Sequence, residues 1–220
     1  GDSAPWSTFY DEVDLPPDLR APLDARTYRT MRMDAQITSL LKATWLPVLR
    51  TQARVDADGC RPEVAEHVAV NLGLPLVGQE AHPRPLRMRD RFSWAQHLRH
   101  VVLQDVYGYS PFEQVYRLNE RTGRFDIRKL LWIPPWTIDD IKVAADGGLV
   151  EVRQNLPGAR PVPMSGLVWH ANEREGANWR GRSLLWACYR PWVLKDRLQR
   201  VGVLSVERNG MGVPTYTAPP

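Results

Sequence analysis

Cysteine is scarce in this 220-residue chain: Cys60 and Cys188 are the only two, far apart and without a CxxC partner. That excludes a disulfide framework and a cysteine-rich zinc site. The expectation is a reduced, intracellular-type protein. Lysine is scarce too, confined to Lys42, Lys129, Lys142 and Lys195, so arginine supplies 25 of the 29 basic residues. No apolar run approaches the roughly 20 residues that a membrane helix needs, and no membrane partner is expected. The first residues, Gly1-Asp2-Ser3-Ala4-Pro5, are polar and acidic rather than basic and then apolar. GxSxG, a Walker A lysine loop, GxGxxG, HExxH and HxxEH are all missing. A folded chain of this size without a catalytic set points toward scaffold, binding or assembly. No enzymatic activity and no cofactor are expected.

What is present is globular. Hydrophobic residues make up 43% and charged residues 25%, near the averages of folded proteins, which excludes wholesale disorder. The length fits one large domain or two small ones and suffices for a real core. Charge is uneven. Residues 1–24 hold six acidic residues against Arg20, a net of −5, so the rest of the +4 chain carries +9. Two readings of the arginine excess stand: a GC-rich genome, or phosphate contact through bidentate geometry. A net of +4 does not by itself identify a nucleic-acid binder.

Residues 1–23 read as an extended arm, broken by Pro5, Pro16, Pro17 and Pro22. Its Trp6, Phe9 and Tyr10 make it a docking segment, expected to sit on its own domain or on a neighbouring subunit. Residues 24–220 form the folded part. A first helix is expected from residue 24 or 27 to 43, with Asp24 capping it. Residues 45–50 read as a strand, with Pro47 favouring an edge or bulge. Asp58-Gly59 is a turn, and residues 62–72 a helix with Pro62 in its first turn and Gly73 at its end. A Pro- and Arg-rich loop carries Arg84, Arg87, Arg89 and Arg91, an extended cationic strip that is either solvated or a contact with DNA phosphates or with the acidic arm of an adjacent subunit. Ser93 is expected to cap a helix that stops at Gly108. A hairpin follows, turning at residues 119–123. Asp146-Gly147-Gly148 and Pro157-Gly158 mark later turns, before a strand at residues 168–170. Ser183 is expected to cap the last helix, which runs to about residue 201 with a kink at Pro191.

On that last helix Arg190, Arg197 and Arg200 fall within about an 80° arc. Leu184, Leu185, Cys188, Trp192, Leu194 and Leu198 take much of the rest, so the helix is expected to be buried on most sides. The arginine strip is either a solvated face or a contact with a subunit or DNA.

Three constellations resemble chemistry and fall short of it. His97 and His100 lie three apart on one helix, but a third metal ligand is missing, so they read as exposed polar histidines. Asp139, Asp140, Glu151 and Arg153 resemble a metal-nuclease pattern, yet Arg153 stands where a lysine is needed and stays protonated. Cys188 with His170 suggests a thiol nucleophile, but Cys188 falls in the apolar arc of its helix.

Four segments in order carry a resemblance. Residues 33–41 (MDAQITSLL) precede the segment at 45–50; residues 107–116 read YGYSPFEQVY; residues 179–185 (WRGRSLL) lead through Trp192 to Lys195; and Glu207-Arg208-Asn209-Gly210 precedes Val213-Pro214. Together they resemble the portal proteins of tailed bacteriophages, in the Mu-like branch. The matched positions are Asp34, Gly108, Ser110, Glu113, Gly181, Ser183, Lys195, Gly210 and Pro214. The resemblance implies fold-keeping roles for them, with Glu113 reaching a polar neighbour and Gly210 and Pro214 in a sharp reversal. It departs from the family pattern where Tyr109 separates Gly108 from Ser110.

The expected fold is α+β, with short mixed or antiparallel strands and packed helices, corresponding to the wing part of a portal whose stem and clip lie outside this chain. The resemblance implies a ring of about a dozen copies at one capsid vertex, passing double-stranded DNA during packaging and ejection. Its expected partners are itself, the capsid protein, the terminase and the head–tail connector or adaptor. Its expected place is the virion, and the host cytoplasm during assembly. The alternatives are a non-portal assembly or DNA-binding adaptor, and a metal-dependent nuclease.

Overall fold

A computed structural model describes residues 16–21, 23–80, 92–210 and 212. Among them are six helices: α1 (Asp24–Met31), α2 (Ala35–Arg50), α3 (Pro62–Leu72), α4 (Trp94–Val101), α5 (Gln104–Tyr107) and α6 (Tyr189–Gly210). Six strands make two antiparallel sheets. One has the order β2 (Arg124–Trp132), β1 (Tyr109–Asn119), β6 (Leu167–Ala171). The other has the order β3 (Ile138–Val143), β4 (Leu149–Gln154), β5 (Val162–Pro163). The fold is therefore α+β with short antiparallel strands, as the sequence predicts.

Two apolar clusters hold it together. The first gathers Tyr28, Met31, Leu41, Trp45, Val106 and Leu185 from the helices and the segment before α6. The second lies between the sheets, around Tyr109, Ile133, Ile138, Val152 and Leu167. The strand β1 belongs to both environments: its first four residues are buried and its far end is exposed. Alternation at Phe112, Tyr116 and Leu118 is thus present in the pleat but not in burial, because the hairpin runs out beyond the core. Its outer edge is closed by α3. The His67 ring meets the Phe125 carbonyl at 3.1 Å, and Asn71 Oδ1 accepts from the Ile127 N–H at 2.6 Å. Side chains of a helix here take the place of a further strand.

Several expected elements differ. The first helix is two helices, parted at residues 32–34, because Asp34 caps a new start: its Oδ1 accepts from Gln36 N–H at 2.9 Å and Ile37 N–H at 3.3 Å. Asp24 is not a cap of this kind; it is the first residue of α1, bonded to the adjacent Ala25 N–H. The expected strand at 45–50 is the last part of α2, which runs through Pro47. Ile37, Leu41, Trp45 and Leu49 recur every fourth residue and all pack on the helical cluster. That burial outweighs the roughly 3 kcal/mol a mid-helix proline costs, and Pro47 itself is exposed.

Ser93 stands at the N-cap of α4 without a side-chain cap bond. Residues 102–103 part α4 from α5, and Gly108 ends α5 with φ at 85°. The turns at Gly59 and Gly123 and the end of α3 at Gly73 have positive φ, as their sequence signals imply.

The last helix departs most. It is 22 residues long, contains no buried residue, and carries Pro191 in its first turn rather than at a kink. Ser183 lies well before it, and Cys188 is exposed. Glu207, Arg208, Asn209 and Gly210 continue the helix instead of reversing the chain; Pro214 lies outside the described residues.

Candidate functional site: the junction beneath the last helix

Segments as far apart in the sequence as Val106 and Ser183, 77 residues, meet at one place. α5 ends at Gly108, where φ of 85° suits glycine. The carbonyl of Gly108 accepts from the Asn172 N–H at 2.8 Å, just after β6. The Asn172 carbonyl accepts from the Arg182 N–H at 2.8 Å, and Asn172 Nδ2 donates back to the Arg182 carbonyl at 2.9 Å. Gly181, with φ of 60°, fits between them. A Cβ there would stand 2.4 Å from the carbonyl oxygens of both Asn172 and Gly108. A Cβ on Gly108 would stand 2.5 Å from the Arg180 carbonyl oxygen. Real Cβ atoms do not approach backbone so closely, so each glycine leaves room for the other's chain.

Two buried serines tie this contact to its surroundings. Ser183 Oγ donates to the Val106 carbonyl at 2.5 Å and accepts from the Leu185 N–H at 3.0 Å, while the Leu184 N–H reaches the Asp105 carbonyl at 2.8 Å. Ser110 Oγ donates to the His100 carbonyl at 2.8 Å and accepts from Trp132 Nε1 at 3.0 Å. Both hydroxyls use a donor and an acceptor at once, which is what makes a buried hydroxyl tolerable. Asp105 Oδ2 accepts from Trp45 Nε1 at 2.8 Å; burial nevertheless pushes its pKa up, with that hydrogen bond opposing.

Charge fixes the helices above it. Lys195 Nζ on α6 donates to Asp34 Oδ2 at 2.7 Å, while the other oxygen of Asp34 caps α2. The lysine holds this carboxyl below the usual range; the Ile37 and Gln36 N–H groups act the same way and desolvation opposes them. Arg180 lies 4.0 Å from Asp24 of α1 and 3.5 Å from the Tyr109 hydroxyl, over whose ring its guanidinium sits. Burial raises the pKa of that tyrosine.

Of the nine positions singled out in the sequence, Gly108, Ser110, Gly181 and Ser183 lie in or beside this junction, while Asp34 and Lys195 pair with each other between α2 and α6. Glu113 is half-buried at the register position facing Leu131 on one side and Leu167 on the other. Gly210 ends α6. Arg190, Arg197 and Arg200 lie on α6 and are exposed, with Arg200 Nε 3.0 Å from Asp196 Oδ2 one turn back. Arg84, Arg87, Arg89 and Arg91 fall outside the described residues, as does the arm up to residue 15.

The histidines are not the exposed pair that the sequence suggests. His97 is only 7% exposed, its ring tilted against Phe112 at 4.4 Å, with His170 at 5.6 Å. His100 lies flat on Trp132 at 4.9 Å. Burial, reinforced by the other histidines, pulls His97 down to about 4, and burial lowers His100 and His170 as well. Nothing in local sequence reveals this group, because His170 and Phe112 arrive from other strands.

The acidic constellation at β3 and β4 is a surface ion-pair set. Glu151 Oε1 lies 3.6 Å from Lys142 and 3.9 Å from Arg153. Among the described residues no three metal-ligating side chains come together, and no helix is long and apolar enough to cross a membrane.

An α+β domain whose shared motif residues serve to lock segments together, and whose longest helix stands exposed, has the character of a structural assembly part. The chain belongs to the family described as the portal protein of Mu bacteriophage, whose sequence profile matches residues 25–220. No curated protein matches it. The family is one of structural phage proteins of the capsid vertex, which agrees with the resemblance drawn from the four motif segments.

Proposed function

We propose that this chain is a subunit of a portal ring that sits at one capsid vertex, passes double-stranded DNA during packaging and ejection, and seats the terminase and the head–tail connector. The family match across residues 25–220 carries this reading. The junction supports it. A ring subunit is loaded at its contacts with neighbours, and a domain whose segments are tied by close-packed glycines and doubly bonded serines transmits load without deforming. Such a ring is heterologous: each copy uses one surface to meet a different surface on the next, and rotation closes the circle at about a dozen copies. The chain has no catalytic role in this reading. Image averages of the purified portal should show rings with an axial channel. A protein that stays monomeric or dimeric, or that cuts DNA with Mg²⁺ and loses that activity on Asp140→Ala, contradicts it.

A further inference from the structure

The outer half of α6 is a helix face in want of a cover. Leu194, Leu198, Val201 and Leu204 are 57%, 62%, 63% and 60% exposed. At 100° per residue Leu194, Leu198 and Val201 border the strip of Arg190, Arg197 and Arg200, Leu204 lies within it, and Arg208 extends it toward the end of the helix. α6 carries Arg190, Lys195, Arg197, Arg200 and Arg208 against only Asp196 and Glu207, so an occupant should be acidic as well as apolar.

The chain itself delivers such a segment to the base of this helix. Residues 17–19 form a short 3-10 turn whose Leu19 is 3% exposed in the helical core. Asp18 holds the Tyr189 hydroxyl in the first turn of α6, and its carbonyl accepts from Thr27 Oγ1 at 2.6 Å. Residues 1–15 therefore join the fold beside the start of α6. They contain Asp2, Asp11, Glu12 and Asp14, no Lys or Arg, and Trp6, Phe9, Tyr10, Val13 and Leu15. Reach fits as well. Five extended residues span about 17 Å, and α6 rises about 17 Å from Tyr189, where Asp18 holds it, to Arg200.

We propose that residues 1–15 dock along α6 of their own chain, with Asp11, Glu12 and Asp14 on the arginine strip and the aromatic residues on the flanking leucines and valines. Of the two seats expected for the arm, its own domain and a neighbouring subunit, this is the first, because residues 16–21 are already bound to their own domain. The inference rests on the fold and the charge pattern, independently of the portal reading.

The test is hydrogen exchange of residues 197–208 in the full 220-residue chain. Reversing the arm (Asp11→Lys, Glu12→Lys, Asp14→Lys) or the helix (Arg197→Glu, Arg200→Glu) should each speed exchange there by about tenfold. Combining the two sets should restore protection, and tenfold dilution of the parent protein should change nothing. The amides of Asn172 and Leu184, in the junction, report whether each variant is folded; the milder set Asp11→Asn, Glu12→Gln, Asp14→Asn serves if the reversals are not. Exchange that ignores the arm, a combined variant without recovery, or protection that fades on dilution overturns the proposal. The last outcome assigns the face to a second copy.

Discussion

The junction and the outer half of α6 belong to one chain and nearly touch at Lys195, yet they are built on opposite rules. At the junction, small residues are required by space: backbone meets backbone, and the Gly108, Asn172 and Asp105 carbonyls and both serine hydroxyls are hydrogen-bonded. Along outer α6, large apolar residues face outward and nothing in the described fold constrains them. The first region fixes one arrangement of segments; the second presents a surface. A sequence motif therefore marks where the chain must close on itself, while a surface leaves only a pattern of charge and hydrophobicity.

The sharpest way to break the comparison is to add a methyl group. Gly181→Ala should cost about 4 kcal/mol or more, because its Cβ would meet two backbone oxygens at 2.4 Å. Gly158→Ala, also at positive φ but with nothing within 4 Å, should cost only about 1 kcal/mol. Urea midpoints of the two variants measure the difference.

Acid should act next most strongly, through the histidines beside β1. An unfolded histidine takes up its proton near 6.5, whereas folded His97 resists until about 4. Its folded value is the lower one, so the folded state binds fewer protons between these limits. Stability is full above 6.5 and falls as pH drops toward 4, by an amount on the order of 2 kcal/mol. His97→Leu should flatten that dependence in denaturation measured at pH 7 and pH 4.5; an unchanged slope contradicts the assignment.

Asp34 and Lys195 join the two regions and should show an asymmetry. Asp34→Ala removes both a helix cap and the partner of Lys195, whereas Lys195→Ala leaves the cap in place. Thermal denaturation should rank Asp34→Ala as the more destabilised. The carboxyl is held below its usual range, so this contribution is present above the ordinary aspartate value and lost as pH falls through the lowered one. The smallest effect belongs to the surface: Leu198→Ser with Val201→Ser should change stability by less than about 1 kcal/mol.

The same contrast explains what could be read in advance. Asp34, Gly108, Ser110, Gly181, Ser183 and Lys195 were legible as positions, because close approach and capping demand particular residue types. The meeting place of Gly108, Gly181 and Ser183 was not, since it is made by Asn172 and Asp105, which carry no local signal. The chain from 45 to 50 misleads for a related reason. Trp45 and Val48 suit a strand by composition, but the four-residue period from Ile37 to Leu49 is satisfied only by a core that includes Leu185 and Val106. His97 misleads likewise: its own helix looks polar there, and its burial comes from Phe112 and His170 on two strands. The long last helix was visible as a basic strip, while its start, expected at Ser183, falls at Tyr189, and residues 207–210, expected in a reversal, continue it.

The junction's rigidity is best tested by native-state hydrogen exchange with increasing denaturant. The Asn172, Arg182 and Leu184 amides, which bond Gly108, Asn172 and Asp105, should exchange only through global unfolding, with the full denaturant dependence of that transition. Exchange of these three by local opening, at rates like those of the exposed end of the β1–β2 hairpin, would contradict it.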